Sequence, residues 1–152
     1  MDQAVLVVDA GRAREGQLDR PVIEVAVGVL IDAMGAFLLT SRPPGKVYAG
    51  YWEFPGGKLE AEETVEQALR RELQEEIGVI IGVVQPWRHA LVDYPHALVR
   101  LHFCKVFDWT GELQMRENQS CCWERLPASC SPVLPGTVPV LAWLAEEAAT
   151  GV

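Results

Sequence analysis

The chain has 152 residues, enough for one domain with a real core, and 49% apolar with 22% charged residues reads as globular rather than disordered. Its net charge of −8 argues against a module for a nucleic-acid polymer, which would carry a basic stripe, but not against a small anionic ligand. No apolar run reaches the roughly 18–20 residues that span a bilayer, and no Lys or Arg precedes the short apolar stretch Val5-Leu6-Val7-Val8, so neither membrane span nor signal peptide is expected and a cytoplasmic location is.

In chain order, residues 1–20 read as a flexible lead-in, since 10–20 are polar, Gly-containing and without period; the domain proper is expected over 21–152. The β-branched stretch 22–31 predicts a buried strand, 32–35 a turn and 36–41 the returning strand. Pro43, Pro44, Gly45 and Gly50 make 42–51 a loop, of the kind that carries function. Trp52-Glu53-Phe54 is a short extended piece ended by Pro55-Gly56-Gly57. Residues 64–77 form the strongest helix pattern, with Gly78 placed to cap it. Residues 79–92 and 98–108 read as strands, Thr110-Gly111 as a turn, 121–124 as a short strand and 138–149 as a second helix. Together these predict an α+β domain with helices covering a mixed sheet.

The four cysteines, Cys104, Cys121, Cys122 and Cys130, have spacings that match neither a CxxC pair nor a zinc site, so they are expected to be reduced, packed thiols. Cys121 and Cys122, adjacent on a strand, point to opposite faces. The five tryptophans read as packing residues, and His89, His96 and His102 lack metal-ligand spacing.

On the helix, Val65, Leu69, Leu73 and Ile77 follow an i, i+4 progression and form its apolar stripe. Glu72, Glu75 and Glu76 are related by i, i+3 and i, i+4 and share a face that borders this stripe, whereas Gln67, Arg70 and Gln74 lie opposite. Three carboxylates crowded beside a core repel one another and lose hydration, so the cluster calls for a cation. Hard oxygens without His or Cys suit Mg²⁺, or Mn²⁺, rather than Zn²⁺. Arg71 is placed to orient them. Gly56 and Gly57 let the backbone come close to a metal or phosphate just before the helix.

The segment from Gly57 to Val79 resembles, position for position, the signature Gly-x5-Glu-x7-Arg-Glu-aliphatic-x-Glu-Glu-x-Gly-aliphatic of the Nudix hydrolases, through Gly57, Glu63, Arg71, Glu72, Leu73, Glu75, Glu76, Gly78 and Val79. The wider chain, roughly 22–144, is similar to the MutT branch: Glu53-Phe54-Pro55-Gly56-Gly57-Lys58 matches its approach strand, Arg42 stands where that branch has a substrate-contacting arginine, and Glu117 where it has a distant acidic metal ligand. The resemblance implies an α/β/α sandwich around a mixed sheet and a Mg²⁺-dependent hydrolase, monomeric or homodimeric, that acts on a small-molecule nucleotide rather than on a nucleic-acid polymer or at a membrane.

It further implies a metal site of Glu72, Glu75, Glu76, Glu117 and the Gly56 carbonyl, with Glu72 or Glu117 as the base. Arg42, Glu53, Phe54, Pro55, Gly56 and Thr137 would meet the substrate, and Gly57, Lys58, Glu63 and Arg71 would support the site. MutT proteins hydrolyse 8-oxo-dGTP to a nucleoside monophosphate and pyrophosphate, sanitising the nucleotide pool for replication and repair. Here Thr137 replaces the purine-reading Asn of that branch, and a hydroxyl lacks the paired donor and acceptor of an amide. Val47 likewise replaces a His. Hydrolysis of CTP, a modified pyrimidine nucleotide or a nucleotide sugar is therefore the alternative, and a non-catalytic binding module a third. Tyr48 is placed to stack on a base.

Overall fold

The structure, a computed structural model, describes residues 4–8 and 20–150. The strands are β1 (Ala4–Val8), β2 (Val22–Leu30), β3 (Phe37–Ser41), β4 (Trp52–Glu53), β5 (Gly56–Lys58), β6 (Ile80–Ile81), β7 (Gln85–Asp93), β8 (Leu98–Val106), β9 (Trp109–Thr110) and β10 (Cys121–Glu124). The helices are α1 (Val65–Ile77) and α2 (Val138–Ala149), the latter entered through a 3₁₀ turn at Pro135–Thr137.

A five-stranded mixed sheet, in the order β1-β7-β8-β2-β5, forms the middle layer; β2 is parallel to β8 and antiparallel to β5. Alternation along β2 explains the sandwich. Ala26 and Leu30 pack under α1 with Leu69, Leu73 and Ile77, while Val27 and Val29 meet Val140 and Trp143 of α2 on the other face. A second sheet, β10-β3-β4, joins the α2 side through Phe37 and Leu39. This is the α/β/α arrangement expected.

Four stretches differ from the sequence reading. Residues 79–92 form two strands rather than one, broken at Gly82, whose N–H donates to the Asp108 carbonyl at 2.9 Å. A side chain at Gly82 would collide with the Asp108 carboxylate, so the chain turns there. Thr110, assigned to a turn, instead belongs to β9, which pairs with β6 in this new register. Within the expected lead-in, Ala4–Val8 adds as a parallel edge strand to β7, whereas 9–19 lie outside the described residues. Gly56 and Gly57, read as ending the extended piece at 52–54, instead form a separate strand, β5, which pairs with β2 in the five-stranded sheet, whereas β4 pairs with β3 in the other sheet.

All four thiols are free, and Cys104 is buried, but Cys121 is exposed rather than packed. The fold also brings Cys122 and Cys130 together across eight residues of sequence, a proximity that spacing alone did not reveal. None of the described helices is long and apolar enough to cross a membrane.

Candidate active site

Helix α1 sets the acidic ridge. Thr64 caps its N-terminus reciprocally with Gln67, and Gly78, at φ 77°, closes its C-terminus by donating to the Gln74 carbonyl. These caps fix the helix ends, and β2 fixes its rotation, so that Leu69, Leu73 and Ile77 are buried. The three carboxylates then sit at different depths: Glu76 is 8% exposed, the Glu72 side chain 20% and the Glu75 side chain 59%.

Arg71 organises the near side of the ridge. Its Nε and Nη2 donate to the two Glu63 oxygens at 2.7 and 2.9 Å, its Nη1 reaches Glu72 Oε2 at 3.0 Å and Glu75 Oε1 at 3.3 Å, and Nη2 also donates to the Lys58 carbonyl at 3.0 Å. This fork, helped by the Glu60 N–H, holds the Glu63 carboxyl down at about 2. Glu63 and Arg71 lie behind the ridge rather than on the cavity wall, which suits a supporting part.

Glycine makes the room. A Cβ on Gly57 would fall 2.2 Å from Glu72 Cδ, and one on Gly56 2.0 Å from the Ala26 carbonyl oxygen. The Gly56 N–H is hydrogen-bonded to the Glu76 carboxylate. Pro55 is buried, off the cavity wall, and its carbonyl accepts the Gly28 N–H at 2.8 Å.

The far side is closed by residues 114–119. Gln114 N–H and Arg116 N–H donate to the Ile77 and Glu76 carbonyls at 2.9 and 3.1 Å, and Arg116 Nη1 to Gln74 at 3.0 Å, which satisfies the last carbonyls of α1. The buried Gln119 amide donates to Glu76 O at 3.3 Å and accepts the Glu117 N–H at 2.9 Å. Glu117 is thereby held over the ridge. Gln119 and Arg116 escaped the sequence reading, because each acts through a backbone carbonyl that no motif encodes.

The electrostatics follow from burial and crowding. Burial, with Glu53, Glu117 and Glu72 nearby, pushes the Glu76 carboxyl up to about 9. Burial raises Glu53 to about 7 although Arg42 and Lys46 oppose it, and burial also raises Glu72 against the pull of Arg71. Without a cation, Glu76 therefore favours its protonated form at neutral pH.

A cavity of about 730 Å³ opens from this ridge. Its floor is the α2-side face of β2 and β8, including Val25, Val27, Leu101 and Phe103, with Phe54 packed beside it against Phe37. Arg42 and Glu53, both predicted, face each other on the wall, with Arg42 Nη1 3.3 Å from Glu53 Oε1. Lys46 and Val47 extend that wall. Thr137 is buried at the far end, and its hydroxyl is 3.4 Å from the Trp52 carbonyl. Tyr48 and, unexpectedly, Tyr94 and His96 form an aromatic group at the cavity, the last two stacked with centroids 5.2 Å apart. The hairpin carrying Tyr94 and His96 joins two strands whose pairing sequence spacing does not disclose.

Known proteins resemble this chain in sequence and in fold. The chain is 40% identical over 106 residues to the 8-oxo-dGTP diphosphatase of Haemophilus influenzae, covering 70% of this chain and 78% of that one. It is 38% identical over 130 residues to the CTP pyrophosphohydrolase of Escherichia coli, covering 84% and 96%. Among solved structures, a MutT from work on Aliivibrio salmonicida and Vibrio cholerae matches with a TM-score of 0.69 and 30% identity, over 84% of this chain and 99% of that one. The NUDIX domain family matches residues 22–144, most of the chain, and the chain belongs to that family.

Proposed function

We propose that the protein is a Mg²⁺-dependent nucleoside triphosphate pyrophosphohydrolase, with 8-oxo-dGTP as its substrate and a nucleoside monophosphate and pyrophosphate as products. The observation that carries this reading is the convergence of Glu53, Glu72, Glu76 and Glu117 at the mouth of a cavity with an apolar floor. The donors fit a hard divalent cation: they are carboxylates, they repel one another, and burial raises three of them toward neutrality. Glu72, Glu75, Glu76, Glu117 and the Gly56 carbonyl would hold Mg²⁺, or Mn²⁺ in its place.

When bound, the metal supplies charge neutralisation of the triphosphate and acidifies water. The chain's own residues do the rest. Arg71 occupies Glu72 Oε2 and leaves Oε1 to take the proton of the attacking water, with Glu117 as the rival acceptor. The water oxygen bonds to phosphorus, the anhydride P–O bond between the α- and β-phosphates breaks, and its electron pair leaves with the departing phosphate group. Arg42 and Lys46 set positive charge on the wall facing the anionic chain, and Phe54 and the floor receive the base. The acidic surface, with net charge −8, goes with a small nucleotide rather than a polymer.

A pyrimidine nucleotide is the second reading. Thr137 offers a hydroxyl already directed at Trp52 where a purine-reading amide would sit, and the relative named CTP pyrophosphohydrolase matches more of this chain. A panel of 8-oxo-dGTP, dGTP, CTP and 5-methyl-dCTP with Mg²⁺ separates the two. We expect the highest kcat/KM for 8-oxo-dGTP; a higher value for CTP would replace it as the substrate. Glu75→Gln is expected to abolish turnover; unchanged product release from that variant would remove Glu75 from the metal site, and no turnover of any nucleotide by the wild type with Mg²⁺ would leave only a ligand-binding module.

A further inference from the structure

Outside the acidic ridge, the fold assembles a second group of metal-binding atoms. Cys122 and Glu124 are alternate residues of β10 and therefore share one face of the strand, opposite Leu39 and Phe37 of β3. The chain leaves β10 and returns to bring Cys130 to that same face. The Sγ atoms of Cys122 and Cys130 and a carboxylate oxygen of Glu124 all lie within 4.8 Å of one another.

The carboxylate is built into place. Glu124 is 6% exposed; its Oε2 accepts the Cys130 N–H at 2.7 Å and the Ser129 N–H and hydroxyl, each at 3.1 Å. Its Oε1 lies 3.4 Å from that hydroxyl, and the Cys130 thiol is hydrogen-bonded to the carboxylate. No Lys, Arg or His among the described residues forms an ion pair with it. A fixed carboxylate oxygen without a cationic partner thus stands between two half-buried sulfurs.

We propose that Cys122, Glu124 and Cys130 bind a thiophilic divalent cation of the Zn²⁺ or Cd²⁺ type, distinct from any ion on the acidic ridge. Two sulfurs and one oxygen provide three of four tetrahedral positions, and the partly exposed sulfurs leave the fourth to water. Around such an ion, with metal–sulfur bonds of about 2.3 Å, the sulfurs stand roughly 3.8 Å apart, so the group needs to contract by only about 1 Å. Binding exchanges the two thiol protons for one divalent ion. The ion would clip residues 125–130 to β10. Past that clip, the Pro132 carbonyl accepts the Trp52 N–H at 2.9 Å, and Trp52 precedes Glu53 on the cavity wall, so the site would brace the substrate pocket from behind.

Reduced protein titrated with Cd²⁺ tests this through the ultraviolet thiolate-to-cadmium absorption, which carboxylates on the ridge do not produce. One equivalent is expected to saturate the band. The band is expected to disappear in Cys122→Ser and Cys130→Ser and to persist in Cys121→Ser, whose side chain lies on the other face. Should a serine variant fail to fold, alkylation of the wild type decides: Zn²⁺ is expected to protect Cys122 and Cys130 from iodoacetamide and leave Cys121 reactive. Absence of the band from reduced wild type, its persistence in a folded Cys130→Ser, or equal alkylation of all three cysteines with and without Zn²⁺ would overturn the proposal.

Discussion

Gly57 faces Glu72 so closely that no side chain fits between them. The smallest addition, Gly57→Ala, would place a methyl group 2.2 Å from the Glu72 carboxyl carbon, and the far end of Glu72 would swing away from the ridge. Misplacement of a reacting group by about 1 Å costs on the order of 100-fold in rate. A fall in kcat of at least that order, with an unchanged circular-dichroism spectrum, is expected; wild-type turnover would show that the Glu72 position is not critical. The motif spacing identified Glu72, Glu75 and Glu76 and their common face, because a helix wheel needs only the sequence. It could not rank their depth. That ranking comes from where α1 crosses β2 and β5, which buries Glu76 among Glu53 and Glu117 and leaves Glu75 in solvent.

Helix α1 is held at both ends, and the two ends have different consequences. Thr64→Ala removes an N-cap remote from the ridge; it is expected to lower stability by about 1 kcal/mol, or Tm by roughly 2–4 °C, with little change in kcat. Gln119→Ala removes the amide that bridges Glu76 O and Glu117 N–H; its buried partners make a cost of about 1–3 kcal/mol reasonable, and kcat should fall with it because Glu117 loses its anchor. Thermal melts paired with steady-state rates distinguish these outcomes, and equal kcat losses in the two variants would contradict the division. The C-cap of α1 was legible in Gly78, whereas Thr64 was read as part of the helix and its capping pair with Gln67 was not anticipated. The break between β6 and β7 was not, nor was β9. Both depend on Gly82 meeting Asp108, a contact between segments 26 residues apart in sequence.

At the scale of the molecule, the ridge makes stability depend on pH and on metal together. A carboxyl raised in the folded state binds more protons there than in the unfolded chain, so metal-free stability should fall as pH rises from about 4.5 through 7 for Glu53 and through 9 for Glu76. Glu63 has the opposite sign: its carboxyl, lowered by Arg71, supports the fold above about 4.5 and loses that support as pH falls toward 2. A divalent cation relieves the repulsion only when the carboxylates are ionised. The increase in Tm caused by Mg²⁺ should therefore be larger at pH 8.5 than at pH 6, and Glu76→Gln should raise the metal-free Tm at pH 8.5 while shrinking the Mg²⁺ effect. An equal Mg²⁺ effect at both pH values would contradict this coupling. The sandwich itself was readable from hydrophobic period and motif. The cavity's aromatic side was not, because the Tyr94–His96 hairpin reaches it only through the pairing of β7 with β8.

The most direct measurement is an anomalous-scattering map from crystals soaked in Mn²⁺. Density coordinated by Glu72, Glu75, Glu76 and the Gly56 carbonyl, at the mouth of the cavity, is the expected result. An empty map, with those carboxylates turned outward into solvent, would contradict it.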